Sequence, residues 1–310
     1  MQMKATLYYR SKLDPHDQKI YDELVKKWMS FEQSINIGIP HCEFSRLTQS
    51  IHFDYPLLFY INYYHILYTK SLFGITISGN YLYQKEEAKE LLAFCERWGQ
   101  YILKNKPQAV GKLELALWLH DVILNNVKYS NENGMRAHNM IGVIKDGHAV
   151  CEGISMTYKF LCDLVDIPCI YVSGTLNNEP HGWNMIWINN EASFVDVTND
   201  ISVYGGFDRK NFLRSSKEMV GYTWDENVLP ECRLKNKSNQ YLVAHSKREL
   251  RQLLNECNSW DSANIHLDFG YQMSETEIEK IISGLWLSNP LIIARKLSYS
   301  VERQMIYIQR

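Results

Sequence analysis

Three residues of this 310-residue chain have the types and settings from which bond-making chemistry can be built: Cys151, His181 and Asp196. Cys151 follows a loop containing Gly147 and opens a stretch in which Ile154, Tyr158, Leu161, Cys162 and Val165 share a helical face. A helix N-terminus presents unpaired N–H groups and a partial positive charge; both favour thiolate over thiol and could hold an oxyanion. From His181 onward, His181, Trp183, Met185 and Trp187 alternate onto one face of a strand. Asn189 and Asn190 are turn residues, and Ala192, Phe194, Asp196 and Thr198 share a face of the next strand. With a two-residue hairpin, position 188 faces 191 and Asp196 lies one diagonal step from His181; a four-residue loop would set the two directly opposite. Either register is expected to put imidazole and carboxylate on the apolar side of the sheet, where a helix packs. Taken singly, a cysteine is usually a small core hydrophobe, and a His–Asp pair is as readily a satisfied core contact. Together the three supply nucleophile, base and orienting group in the chain order Cys…His…Asp.

Other side chains near these positions are weighed the same way. Trp183 reads as core packing beside the triad or as a wall of an acyl site. Tyr129 or His138 could donate to an oxyanion beside the Cys151 N–H, though each also reads as an ordinary loop contact. His148, three residues before Cys151, could modulate it. Glu152 suits the first turn of a helix, but its charge opposes thiolate formation, so it is given no catalytic role. There is no glycine-rich phosphate loop and no metal-spaced cluster, so neither a cofactor nor a metal is expected.

The residues around these three positions resemble a known family. Gly142-Val143-Ile144-Lys145-Asp146-Gly147-His148-Ala149-Val150-Cys151-Glu152-Gly153 is similar to the nucleophile segment of the transglutaminase-like superfamily, in which V-C-E-G opens a helix. His181-Gly182-Trp183-Asn184 resembles its H-A-W-N motif, and Phe194-Val195-Asp196-Val197-Thr198 its V-D-V-T motif. Ile167-Pro168 and Ser173-Gly174 fall at the usual places between them. The close match covers roughly residues 120–200. Asp54-Tyr55-Pro56-Leu57-Leu58-Phe59 resembles a D-x-P-x-x-F segment found upstream in bacterial members. The resemblance implies an α+β, papain-like core with the cysteine helix packed on an antiparallel sheet, and Cys151, His181 and Asp196 as the triad. It implies acyl transfer at an amide: hydrolysis is expected first, because water is always available as acceptor, and glutamine crosslinking or deamidation is the alternative. A peptide-binding scaffold that keeps the fold without turnover is the reading from outside enzymology. Asn199 departs from the pattern, in which a Trp commonly follows the Thr and helps wall the site.

These residues need elements to hold them. Asp14 as N-cap, Pro15 at the first position and Ile20, Leu24 and Trp28 on one face predict a helix over 14–30. Further helices are expected over 43–52, 85–103, 111–127 and 151–165, and strands within 57–83 and over 169–175, 181–188 and 192–198. Residues 130–147 read as an elaborate loop. Residues 241–309 read strand, helix (246–257), strand (263–269), helix (275–286), strand or hairpin (297–309), behind a linker at 235–239. The expected organisation is an N-terminal helix-and-strand region (1–105), a catalytic core (106–234) and a small C-terminal α/β unit (240–310) that could recruit a protein partner. Charge is nearly balanced, 33 Lys and Arg against 35 Asp and Glu, which argues against a nucleic-acid or polybasic membrane binder. Seven cysteines without a C-x-x-C pair disfavour a disulfide framework and a structural zinc site. No secretory signal is recognised at the start and no apolar run is long enough to span a bilayer. The expected setting is the cytoplasm, and the expected partner a peptide or protein substrate.

Overall fold

The computed structural model describes residues 5–108, 110–201, 209–233, 239–244, 246–248, 252, 264–269, 273–288, 296–300 and 305–309. The chain divides into two compact units, Met1–Leu234 and Lys235–Arg310. Its class is α+β, with helices and mainly antiparallel sheets. Among the described residues no helix is long and apolar enough to cross a membrane.

In the first unit, α1 (Tyr8–Ser11) leads into α2 (Pro15–Met29), where the Asp14 carboxylate accepts from the His16 and Asp17 amides and Pro15 takes the first position. Next come β1 (Ser34–Ile37), α3 (Phe44–Asp54), β2 (Tyr68–Ser71), β3 (Gly74–Ser78), α4 (Lys85–Asn105) and α5 (Lys112–Leu124). β1, β3 and β2 form a three-stranded antiparallel sheet in that order. Strands therefore occupy only the last part of the aromatic stretch 57–83. Its start is a 3-10 turn, Pro56–Leu58, in which Pro56 and Leu58 are buried. Tyr and Ile enrichment there reflects burial rather than sheet pairing.

The centre of this unit is α6 (Cys151–Leu164), buried at every position from Glu152 to Asp163. A helix enclosed on all sides must satisfy its polar side chains internally. Ser155 donates to the Gly182 carbonyl (3.0 Å), Thr157 to the Gly153 carbonyl (2.7 Å), and Lys159 pairs with Asp163 (2.9 Å). Short strands β4 (Lys128–Tyr129) and β5 (His148–Ala149) pair in parallel just before it. The five-stranded sheet that carries the site runs β10-β6-β7-β8-β9, with β6 (Cys169–Leu176), β7 (Glu179–Ile188), β8 (Glu191–Val195), β9 (Phe212–Arg214) and β10 (Tyr222–Thr223) all antiparallel. Asn189 and Asn190 both have positive φ (52° and 68°), the two-residue hairpin geometry, and Ile188 faces Glu191.

Two sequence expectations about this sheet need correction. Strand β8 ends at Val195 rather than 198: the register shifts at Phe194/Val195, and Thr198–Asp200 forms a 3-10 turn. The alternation of β7 is as read, but the helix packs on the other face. Gly182 and Asn184 contact α6 through Ser155, and Ile186 and Val195 share its apolar cluster. Trp183, Met185 and Phe194 belong to a separate cluster with Ile170, Val172, Met219, Leu229 and Cys232. Both sheet faces are thus apolar, so hydropathy alone could not say which one the helix covers.

In the second unit, β11 (Asn239–Ala244) and β12 (Asn264–Phe269) are parallel, α7 spans Glu275–Ser288, and the hairpin of β13 (Lys296–Ser300) and β14 (Met305–Gln309) completes the order β11-β12-β14-β13. Of the linker expected at 235–239, residues 235–238 lie outside the described residues and Asn239 opens β11; most of the helix expected over 246–257 also lies outside them.

Candidate active site

The start of α6 is shaped by the loop before it. The Val150 amide donates to the Ala137 carbonyl (3.0 Å). Gly153 lies so close to this loop that a Cβ there would collide with the Ala137 and Asn139 carbonyls. This close approach explains why a glycine stands two residues after the cysteine. It sets Cys151 at the first helical position, partly exposed, with its thiol beside the His181 imidazole in one cleft.

His181 Nε2 donates to Asp196 Oδ2 at 2.7 Å. That bond leaves Nδ1 free of Asp196 on a ring that shares the cleft with Cys151. Asp196 is fully buried, its amide anchored on the Asn211 carbonyl (2.9 Å). Burial alone would push the His181 imidazole down; the hydrogen bonds and charges of Asp196 and Cys151 outweigh it and hold the ring up to about 9. The structure therefore brings Cys151, His181 and Asp196 together, with Asp196 one residue beyond the end of β8.

Trp183 does not wall the site. It is fully buried, 5.8 Å from the His181 ring (centroid to centroid) and roughly parallel to it, so it backs the imidazole from the core side. Tyr129 is exposed at the rim of the cleft, and its hydroxyl is raised by burial and then by the charges of Cys151 and Asp196. His138 instead donates Nδ1 to Glu152 Oε2 (3.0 Å), and His148 Nδ1 contacts the Asp146 carbonyl (3.0 Å).

Sequence reasoning missed two sets of partners. Tyr222 on β10 donates to Asp196 Oδ2 (2.7 Å), and Asn199 Nδ2 donates to the same oxygen (2.7 Å). In the sequence Asn199 stands out only as a departure from a motif, and Tyr222 lies 26 residues from Asp196 with no spacing to mark it. The second set surrounds Glu152. Its carboxylate is buried and meets His52 of α3 (3.1 Å), His138 and the Tyr64 hydroxyl. Burial would raise this carboxyl, but the bonds from His138, His52 and Tyr64 bring it down to about 2. One signal was available: an acid in the first turn of a helix that packs in the core needs partners.

The upstream Asp54 is also structural. Fully buried, it accepts from the Tyr9 and Arg10 amides (3.1 and 2.8 Å) and from the Tyr21 hydroxyl (2.9 Å), tying α1 and α2 to the end of α3. Burial raises its carboxyl to about 6.

Around Cys151 opens a cleft of about 1270 Å³. Arg46, Gln49 and His52 of α3 line it, with Tyr64, His181 and Asn227–Leu229. Among the described residues, the acid-and-histidine group with metal-like spacing is Asp14, Asp17 and His41, away from the cleft lining. Its oxygens are engaged by α2 capping and by the His41 and Cys42 amides, so ordinary hydrogen bonding accounts for it.

Comparison with known proteins agrees with the motif reading over this segment. Residues 97–198, which contain Cys151, His181 and Asp196, match the model of the Transglutaminase-like superfamily. No curated protein matches the chain. Among solved structures the chain is similar to a crystal structure of a TGase (12% identity, covering 59% of this chain and 53% of that one, TM-score 0.33). It is also similar to a candidate cysteine protease from Cytophaga hutchinsonii (13%, 47% and 65%, TM-score 0.31). A third is a candidate protease from Parabacteroides distasonis (7%, 77% and 54%, TM-score 0.29). The chain spans less than two thirds of the length of each.

Proposed function

We propose that this protein is a cysteine enzyme that cleaves a peptide or protein amide through an acyl-thioester. The observation that carries the reading is the His181 ring bonded to the buried Asp196 carboxylate and lining the same large cleft as Cys151, which stands at the start of a helix. In the first step the sulfur attacks the amide carbonyl, and the C–N bond breaks as His181 passes its proton to the leaving amine. In the second, water attacks the thioester carbonyl, His181 takes the water proton, and the carboxylic acid leaves as the thiol is restored. Asp196 fixes the ring and stabilises its charge throughout. The Cys151 N–H at the helix start is the backbone donor for the oxyanion, and Tyr129 at the rim stands as its side-chain candidate.

Two features support a polypeptide substrate and water as acceptor. The cleft exceeds the usual few-hundred to 1,000 Å³ of small-molecule pockets, which suits an extended chain. Cys151 is partly exposed, so solvent reaches a thioester formed there. The test is incubation with a peptide library and mass spectrometry of products. Cleaved peptides that vanish with Cys151→Ala support hydrolysis. Glutamine converted to glutamate, or joined to an amine, supports the acyl-transfer alternative, and bound but unaltered peptide supports a scaffold.

A further inference from the structure

The Asp196 carboxylate is held by more than its histidine. Three donors converge on the single oxygen Oδ2: His181 Nε2, Asn199 Nδ2 and the Tyr222 hydroxyl, each at 2.7 Å. Asn199 Nδ2 also lies 2.7 Å from the Tyr222 oxygen and 3.4 Å from His181 Nε2, and the Asn199 amide donates to Oδ1 at 3.1 Å. Tyr222 is brought there by β10, which pairs with the far end of β6 through Tyr222–Leu176 and Thr223–Thr175. Its ring lies 5.9 Å from His181 and 5.2 Å from Trp183.

We propose that Tyr222 and Asn199 are positioning residues that set how strongly Asp196 holds the His181 imidazole. This rests on the triad reading above. The physical basis is competition for one oxygen. Each donor draws on the same lone-pair density, so the hydroxyl and amide weaken the bond left for the imidazole while fixing the direction of the carboxylate. A ring held too tightly as imidazolium is a poor base in the second step, when it must accept a proton from water; a ring held too loosely loses its orientation. The titratable and charged groups that bear on the ring are Cys151 from α6, Asp196 after β8 and Tyr222 from β10. Tyr129 from β4 acts on both Cys151 and Asp196, and Asp200 acts on Tyr222.

The experiment follows the His181 ring directly, by NMR titration of histidine imidazole resonances in the full-length protein, assigned with His181→Ala. In Tyr222→Phe the lost donor returns Oδ2 density to the imidazole, so the His181 midpoint rises by about half a pH unit or more. Asn199→Ala moves it the same way at a solvent-exposed position where folding is not at stake, and the double variant moves it further. A midpoint that stays put or falls in the folded variants overturns the proposal, since a packing role would change the melting temperature and leave the midpoint alone. The readout does not depend on turnover. Cys151 alkylation indifferent to His181→Ala would defeat the proposed chemistry even if the midpoint moved; an unmoved midpoint would defeat only this inference.

Discussion

At the scale of single residues, His181 and Glu152 have opposite pH signatures because their folded-state shifts have opposite consequences. The His181 ring is raised to about 9, above the ~6.5 of a free histidine. Its bonds therefore stabilise the fold fully below about 6.5, and that contribution is lost as pH rises through about 9. The same proton serves the leaving amine, so turnover is expected to fall as pH rises through about 9, which a kcat/KM profile checks. Glu152 is depressed to about 2, so its contribution is present above the ~4.3 of a free glutamate and lost as pH falls toward 2. Glu152→Ala is expected to lower stability by about 1–3 kcal/mol near neutral pH. The gap from wild type should narrow in acid, as equilibrium unfolding at pH 7 and pH 3 would reveal. Asp196→Asn leaves the packing but removes the charge that stabilises imidazolium, and turnover is expected to drop about 10²–10⁴-fold.

At the scale of elements, the site depends on how closely α6 fits its surroundings. Gly153→Ala would drive a methyl group into the Ala137 and Asn139 carbonyls, which leaves the helix start nowhere to go. A loss of about 1–3 kcal/mol is expected, together with reduced Cys151 reactivity, measurable by thermal unfolding and alkylation rate. The elements that carry the site were legible because their signals are local. Asp14-Pro15 marks the start of α2, Asn189-Asn190 marks the hairpin, and the apolar period of 151–165 marks α6. What was not legible is tertiary. Both faces of β7 are apolar, so the helix-bearing face had to be seen. β10 is a two-residue strand whose only sequence content is Tyr222-Thr223, yet it delivers a hydroxyl to Asp196. The same holds for Glu152, read as a lone charge because His52, Tyr64 and His138 come from three separate segments. The helix-start signature explained the cysteine, and the partners that hold its neighbour came from long-range folding.

At the scale of the whole molecule, Cys151, His181, Asp196 and every residue lining the cleft lie within Met1–Leu234. A chain ending at Leu234 is expected to fold and to keep Cys151 reactivity; circular dichroism and an alkylation rate check this, and an insoluble or unfolded product would show that the second unit completes the first. The first unit also arranges its other thiols to be unreactive. Cys42 is pushed up to about 11 by burial and its bond to Asp17. Burial takes Cys95 and Cys232 to about 12, and Cys162 and Cys169 are fully buried. The central claim, a nucleophilic Cys151 activated by His181, is tested most directly by brief alkylation at about pH 6, where ordinary thiols are almost wholly protonated, followed by peptide mapping of wild type and His181→Ala. Because Cys151 is also more exposed than most other thiols, the comparison between the two proteins is decisive. The account predicts modification of Cys151 far ahead of Cys42, Cys95, Cys162, Cys169, Cys232 and Cys257 in wild type, and a marked slowing at Cys151 alone in His181→Ala. Uniform labelling, or Cys151 labelling at the same rate in both proteins, would contradict it.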